Sequence, residues 1–572
     1  MYNKQEELYY KEELRYLEQA GKAFSERHQD IAGFLGLDGA DPNLRDPHTE
    51  RIIESFAFMT GRLRRFLETQ YSELTHALFN LICPLYLRPL PSKCILNFTP
   101  QESMLNGATL IPRGTLIQTR TTPGEPKPYT FSTCHDIHVQ PIHLEKVHID
   151  PETRADFSLS LNFKLHAVNK LEDCRLDDME IYLHGNPRER FELFHLLSEC
   201  LRSIKVKGIG HAPLEIEWTG FRDDHALLPG DSSSHTQLYF LRDYFDFPER
   251  FGFFRLKGLA NALAGQEDLN QFQIDFIFTQ PLSSGSDFDQ HHFRLNCCPA
   301  QNLFLKACEP FKVNEDQFEF PIIADLDQGH YEIHNVDTVL ATHEQKIKEI
   351  NPYYLLNSHT PDQRWFFTLR RELAGMGGWN TYMRLIDLDD NGPSPLQDQQ
   401  ISVKAWCTNR DRAQSLKIGD LTQKGHGIPE PISVTNITQT TKASWPDLYS
   451  EREWDFLSHL SQNYREIADL DHLRKLLELY NAGHSELGMR KITGLQSVTD
   501  TKHHLIFYGQ TVFGRRIEIT CNEGHFQHLG DLALFTQVLG RFTHGYCAIN
   551  SFIELVIKGR NLTRDYTYRT MK

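Results

Sequence analysis

The chain has 572 residues, room for three or four domains at roughly 150 residues each, and its 11 % aromatic and 24 % charged content is typical of a globular protein. Against 76 Asp and Glu there are 60 Lys and Arg, which gives a net charge of −16. An acidic chain repels phosphate backbones, so nucleic acid is excluded as the main partner.

The N-terminal residues, MYNKQEELYYKEELRY, are charged and contain no apolar stretch, so we expect no secretory signal. No run reaches the roughly 18–20 apolar residues that a membrane span requires. The eleven cysteines are scattered without a CxxC pair, which favours reduced thiols over a disulfide framework. We therefore expect a cytoplasmic protein with no direct membrane insertion.

The first predicted helix spans residues 4–28 and is amphipathic. Its apolar side chains recur with the spacing 4-3-4-3, which keeps them on one stripe: Tyr10, Leu14, Leu17, Gly21 and Phe24. A stripe this narrow and regular is typical of a helix that faces another helix rather than a sheet.

A second helix is predicted to begin at Asp46-Pro47, because Asp is a preferred N-cap and Pro fits the first helical position. It repeats the same spacing with Ile52, Phe56, Met59, Leu63 and Phe66. A third helix is predicted to start near Ser72 and must stop at Pro84.

From Lys93 onward, short alternating runs broken by Gly and Pro predict strands. Strands are expected at residues 94–98, 111–117, 129–133, 157–165, 176–185, 272–278, 331–336, 365–370 and 381–387. The polar stretch Ala341–Pro361 is interpreted as a loop.

Four histidines in this part of the chain raise the question of a metal site. On a regular strand His135 and His143 share one face, and His138 and His148 share the other. Because zinc needs three or four protein ligands, two per face are too few. We interpret them as edge or surface histidines.

The segment from Asp387 to Asp398 partly matches a calcium loop. Asp387, Asp389, Asn391 and Gly392 occupy positions one, three, five and six of an EF-hand, and Asp398 stands where the twelfth position calls for Glu. The flanks favour strands where the motif needs helices. Calcium and a solvated acidic hairpin turn both remain open.

The stretch from Gln237 to Leu259 carries eight aromatic residues, each able to bury roughly 150–250 Å². Pro248 sets a corner between a short helix and a strand, because the residue before a proline is pushed out of the helical region. We predict a structural core that comprises Tyr244, Phe245, Phe247, Pro248, Phe251 and Phe254, with Asn302, Leu303 and Phe304.

Near the C-terminus the pattern changes to alternating helices and strands. Helices are expected around residues 454–467, 471–480 and 534–542, and strands at 491–498, 503–508, 515–521 and 549–557. The chain holds no HExxH, GxSxG, P-loop or CxxC motif, so we predict no catalytic residues, no cofactor and no enzymatic activity.

Several of these stretches together resemble one known family. YFDFPERF, from Tyr244 to Phe251, is similar to the "YFxFPEKF" signature of TssF, also called ImpG or VasA, in the type VI secretion baseplate. FRLNCCPAQNLF and FTQVLGRFTHGYCAINSF also resemble that family, and the similarity runs collinearly over about residues 4–558.

The resemblance implies an α+β multidomain fold with an N-terminal helical segment, β-rich central domains and a C-terminal α/β module. Our expected boundaries are 1–91, 92–235, 236–350, 351–445 and 446–572. It implies a structural subunit of the baseplate wedge, at the cytoplasmic face of the inner membrane. Implied partners are TssG, TssK, a second TssF copy, other baseplate subunits, the spike and hub, and the membrane complex.

From the helical stripes we predict a partner interface with TssG or a second copy. It comprises Tyr10, Leu14, Leu17, Phe24, Ile52, Phe56, Met59 and Leu63. The alternative is a β-rich metal-dependent or carbohydrate-active hydrolase. That alternative requires a metal or sugar among His135, His143, Asp387, Asp389 or Asp398.

Overall fold

A computed structural model describes residues 4–27, 47–101, 104–105, 107–121, 127–150, 157–166, 170–208, 213–228, 236–266, 269–280, 287–314, 317–326, 329–343, 346–354, 364–374, 378–388, 399–446, 465–481, 483, 485–507, 510–560, 562 and 564–571. The architecture is the predicted one: a β-rich α+β protein that starts with helices and ends with a mixed α/β unit.

The α-helices of the described residues are Lys4–Arg27, Pro47–Ile82, Pro187–Glu199, Thr236–Asp246, Leu259–Leu263, Arg465–Ala468, Leu470–Tyr480, Glu486–Thr493 and Leu529–Thr543. The predicted break near Ser72 is wrong, since one helix of 36 residues runs from Pro47 to Ile82. No Gly or Pro lies between Phe66 and Pro84, so nothing in that part of the sequence stops the helix.

Most strands belong to antiparallel sheets in which neighbouring strands are often distant from each other in the sequence. A six-stranded sheet has the order Leu421–Lys424, Leu116–Thr119, Thr130–Thr133, Cys297–Gln301, Lys93–Pro100 and Ile432–Asn436. One four-stranded sheet has the order Glu215–Trp218, Phe253–Lys257, Glu180–Leu183 and Phe293–Leu295; another has Ile142–Asp150, Phe157–Leu165, Gln271–Phe278 and Leu201–Val206. A two-stranded ribbon pairs Thr109–Ile111 with Ile137–Val139.

Two further sheets follow in the second half of the chain. A five-stranded sheet contains Phe304–Ala307, Gln400–Thr408, Glu332–His343, Lys346–Glu349 and Phe311–Lys312. A four-stranded sheet contains Phe320–Pro321, Trp379–Asp387, Trp365–Leu373 and Asn351–Pro352. The loop expected at Ala341–Pro361 is therefore wrong in part, because polar residues such as Lys346 and Lys348 sit on an exposed edge strand.

The C-terminal sheet has the order Leu495–Phe507, Gln510–Cys521, Phe552–Gly559 and Tyr566–Met571. Its second and third strands run parallel, and the helix Leu529–Thr543 lies between them in sequence, as a parallel crossover requires. The strand expected to begin at Lys491 is wrong at its start, because a helix capped by Ser485 continues to Thr493. The last strand has no counterpart in the sequence prediction.

We name residues 236–257 the aromatic corner. It contains the helix Thr236–Asp246, a 3-10 turn over Pro248–Gly252 and the strand Phe253–Lys257. The structure places Tyr244, Phe247, Phe251 and Phe254 at 1 % exposure or less, and Phe245 and Pro248 at intermediate exposure. Of the other predicted core residues, Asn302 and Leu303 are fully buried and Phe304 is 6 % exposed.

Charged groups of the aromatic corner pair inside the chain. Arg250 and Asp243 form an ion pair whose two side chains are each 2 % exposed. The guanidinium of Arg250 also lies over the rings of Phe240 and Phe251, at 5.2 and 5.3 Å from their centroids. These two buried charges therefore neutralise each other within the aromatic corner.

A second buried polar group joins the aromatic corner to the C-terminal unit. The hydroxyl of Tyr244 donates to Oδ1 of Asp531 at 2.6 Å, and Nζ of Lys491 donates to the same oxygen at 2.8 Å. Burial and the neighbouring carboxylate raise the pKa of Tyr244 well above its usual value, which keeps the hydroxyl a donor. The contact ties residues more than 240 positions apart in sequence.

Candidate partner interface

We name the helices Lys4–Arg27 and Pro47–Ile82 the helical arm. A 36-residue helix is about 54 Å long at about 1.5 Å per residue. Near its C-terminal end Phe79 is fully buried in the main core and stacks on Tyr86 with 4.5 Å between ring centroids. This end of the arm is therefore anchored in the body of the protein.

The two helices of the arm pack on each other. They approach closely at Gly61, since a Cβ there would lie 3.1 Å from the backbone of Tyr9 and Tyr10. The rings of Tyr10 and Phe58 meet edge to face at 6.4 Å, and Nη1 of Arg64 lies 3.1 Å from Oε1 of Glu13. The first helix therefore covers the face of the second that carries Gly61.

Another face of the second helix is left uncovered in the isolated chain. Ile52 is 68 % exposed, Phe56 56 %, Met59 70 % and Leu63 58 %. Their spacing of 4-3-4 places them on one continuous line, which we name the apolar stripe. Isolated surface apolar residues are ordinary, but a continuous row marks a binding surface.

The remaining predicted interface residues lie on the first helix. Tyr10, Leu14 and Leu17 are at intermediate exposure, and Phe24 is 38 % exposed. Tyr10 contributes to packing within the arm through Phe58. The second helix thus exposes more apolar surface than the first, and the shared 4-3-4-3 spacing carries no signal for that difference.

The structure separates the four histidines that the sequence groups together. His143 lies beside His166, with 5.5 Å between ring centroids. Nε2 of His138 lies 3.0 Å from Nη1 of Arg175. His135 is 3 % exposed, so its interpretation as an edge or surface histidine is wrong. It meets Glu180 and His225, two residues that the sequence analysis missed. No local pattern could reveal them, because each is separated from the next by 45 residues.

The described residues include only the beginning of the predicted calcium loop. Asp387 accepts two hydrogen bonds from Arg364, at 2.5 and 2.7 Å, while Asp389 and Asp398 fall outside the described residues.

All eleven cysteines are free thiols. Burial raises the pKa of Cys297 to about 12, which disfavours the reactive thiolate. Across the described residues, the helices are too short or too polar to span a bilayer.

Comparison with known proteins places this fold. The profile of the family described as "Type VI secretion system, TssF" matches residues 2–570. "Type VI secretion system component TssF1" of Pseudomonas aeruginosa is 26 % identical over 96 % of each chain.

Solved structures share the fold. One chain of the TssK-TssF-TssG baseplate subcomplex of the type VI secretion system, determined by cryo-electron microscopy, superposes with a TM-score of 0.77 at 24 % identity, over 91 % of this chain and 98 % of that one. A chain of the type VI secretion system baseplate complex gives a TM-score of 0.64 at 21 % identity over 96 % of both. The resemblance expected from the sequence is confirmed: the chain belongs to the TssF family of the type VI secretion system.

Proposed function

We propose that this chain is a structural, non-catalytic subunit of the type VI secretion baseplate, and that the apolar stripe of its helical arm binds a TssG-like partner. The observation that carries the proposal is the exposure of Ile52, Phe56, Met59 and Leu63 on one line of an anchored helix. The related assembly contains TssK, TssF and TssG, which makes TssG and TssK the first partners to test.

The spacing and the apolar area of the stripe suit packing against helices of the partner. Complete burial of one large aliphatic or aromatic side chain contributes roughly 1.5–3 kcal/mol, so four in a row supply a useful part of a stable interface. Helix-in-groove recognition uses anchors at the spacing found here. Arg51 and Arg62, which border the stripe on one side, are exposed and suit a polar rim.

The remaining expected roles follow from the same assignment. A second copy of the chain, other baseplate subunits, the spike and hub, and the membrane complex are the further partners. The site of action is the cytoplasmic face of the inner membrane, where the baseplate holds the chain in place. The body of the protein, with its internally paired charges, supplies a rigid support for the arm.

The test is co-purification with TssG and TssK proteins from the same organism as this chain. Phe56→Asp with Met59→Asp places two charges in the stripe, and we expect the TssG-dependent complex to be lost, because a buried unpaired charge is very costly. Met104→Asp is the matched control, since Met104 is 64 % exposed but lies outside the arm. Full recovery of the complex with the double variant would remove the proposal.

A further inference from the structure

The strongest unassigned feature is a buried cluster of His135, Glu180 and His225. Nε2 of His135 lies 3.3 Å from one oxygen of Glu180, and Nδ1 of His225 lies 3.7 Å from the other. One potential ligand atom from each residue lies within 4.8 Å of the others. With bonds of about 2.1 Å, ligand atoms of a tetrahedral zinc site are about 3.4 Å apart.

Burial separates this cluster from ordinary surface acids. His135 is 3 % exposed, and the side chains of Glu180 and His225 are 10 % and 12 % exposed. The rings of His135 and His225 stack almost parallel with 4.0 Å between centroids, so one ring must turn out of the stack before both nitrogens can face one ion. Two imidazoles and one carboxylate form a set that suits zinc, whereas calcium prefers an all-oxygen shell.

Three separate segments supply the cluster, and contacts outside it hold two of them. Cys298 donates its Sγ–H to the carbonyl of His135 at 3.6 Å, and Nη2 of Arg250 in the aromatic corner donates to the carbonyl of His225 at 3.3 Å. Glu180 opens a strand that pairs with Phe253–Lys257. The backbone of the site is therefore fixed in advance, as a metal site requires.

The cluster borders a cavity of about 250 Å³. The three arginines that line this cavity already have partners. Arg113 donates to the carbonyls of Ala226 and Leu228 at 3.0 and 3.1 Å. Arg222 pairs with Asp224 at 2.5 Å.

The third arginine, Arg255, pairs with Glu217 and lies 3.4 Å from Asp178. Asp136 also lines the cavity, so carboxylates offset the cationic groups. The volume leaves room for water at a fourth coordination position, since one water occupies about 30 Å³.

We propose that His135 Nε2, His225 Nδ1 and the Glu180 carboxylate bind one zinc ion, with water from the cavity as fourth ligand. The ion joins the segment that follows the strand Thr130–Thr133 of the six-stranded sheet, the sheet that contains Glu180, and the turn whose His225 carbonyl accepts from Arg250. Binding displaces the proton between His135 and Glu180, and the ligand atoms, up to 4.8 Å apart in the free chain, approach by up to about 1.4 Å to reach tetrahedral spacing.

The alternative to a metal site is a buried ion pair between His135 and Glu180, with the ring of His225 stacked on that of His135. Only the metal site predicts that the purified chain takes up zinc.

The experiment uses the full chain, stripped of metal and titrated with zinc alone, then with calcium alone. We expect one equivalent of zinc by elemental analysis, a rise in the thermal unfolding midpoint with zinc and no rise with calcium. His225→Asn and Glu180→Gln should each weaken zinc binding at least tenfold. His143→Asn, from the other histidine pair, should leave binding unchanged.

A measurement on the unaltered chain guards against variants that fail to fold. Cobalt(II) in place of zinc should give the visible absorption of a nitrogen and oxygen site without a thiolate charge-transfer band. Absence of zinc uptake by the unaltered chain, a cobalt–thiolate band, or equal uptake by folded His225→Asn would each overturn the proposal.

Discussion

The aromatic corner and the helical arm use the same kinds of large apolar side chain and treat them in opposite ways. In the corner, Phe247 and Phe251 are at most 1 % exposed. In the arm, Phe56 and Met59 are 56 % and 70 % exposed, although they belong to an equally regular pattern. The corner is complete within the chain, whereas the arm still lacks a covering surface.

The ion pairs of the corner and the arm also differ in burial. Asp243 and Arg250 are buried together inside the corner, where loss of either would strand the other. Arg64 and Glu13 of the arm pair at the surface, with side chains 48 % and 18 % exposed, so water screens the interaction. We therefore expect folding stability to depend on the corner and association to depend on the arm.

The largest expected effect is on the buried group that connects the corner to the C-terminal unit. Asp531→Ala leaves the ammonium of Lys491 buried without its carboxylate, so we expect a loss of about 3–5 kcal/mol in unfolding free energy. Urea unfolding followed by tryptophan fluorescence measures it. Asp223→Ala, at an exposed acid, is the control, and an equal small effect for both variants would contradict the assignment.

Within the arm, Gly61→Val should force the two helices apart, because its Cβ has only 3.1 Å to the backbone of Tyr9. Overpacking of this kind costs about 1–3 kcal/mol. Hydrogen exchange should accelerate in residues 9–21 and stay unchanged in the corner. Unchanged exchange in the first helix would show that the helices do not depend on this contact.

A smaller effect is expected from pH at His225, whose turn is held by the corner. Its pKa falls from 6.5 to about 3 on folding, through burial and the charge of His135. The unfolded chain therefore binds a proton between these values that the folded chain does not, and stability is present above pH 6.5 and lost as pH falls below it.

Comparison of the metal-free chain with His225→Asn isolates this contribution. The original chain should lose up to about 1.4 kcal/mol per pH unit relative to the variant below pH 6.5, and nothing above it. A difference that does not change between pH 7 and pH 5 would contradict the burial argument.

The smallest expected effect on folding is at the stripe itself. Phe56→Ala removes a side chain that is 56 % exposed, so unfolding free energy should change by less than about 0.5 kcal/mol. Phe251→Ala in the corner should cost about 3–5 kcal/mol under the same urea titration. Similar losses for the two variants would erase the distinction between corner and arm.

The sequence predicted what depends on local pattern. The amphipathic helices, the turn at Pro248 and the alternating strand Gln271–Phe278 follow from spacing and from residue conformational preference. The predicted helix start near Ser72 was wrong because the segment before it contains no Gly or Pro, so the preceding helix continues through it. Polar edge strands such as Lys346–Glu349 also lack the expected alternation.

Contacts between distant segments could not be predicted. Lys93 pairs with Asp246, 153 residues later, and the strand Lys93–Pro100 pairs with Cys297–Gln301 and Ile432–Asn436. The side chain of Asn302 bonds to Asn409 at 2.7 Å across two sheets. Such partners are set by tertiary packing and leave no spacing signal, which is also why Glu180 and His225 were missed.

The stripe can be tested most directly by oxidation of methionine, which depends on solvent access. Met59 and Met104 are 70 % and 64 % exposed in the chain alone and should oxidise at similar rates. In the complex with TssG, we predict that Met59 is protected at least fivefold while Met104 reacts as before. Equal oxidation of Met59 in the free chain and in a fully assembled complex would contradict the account.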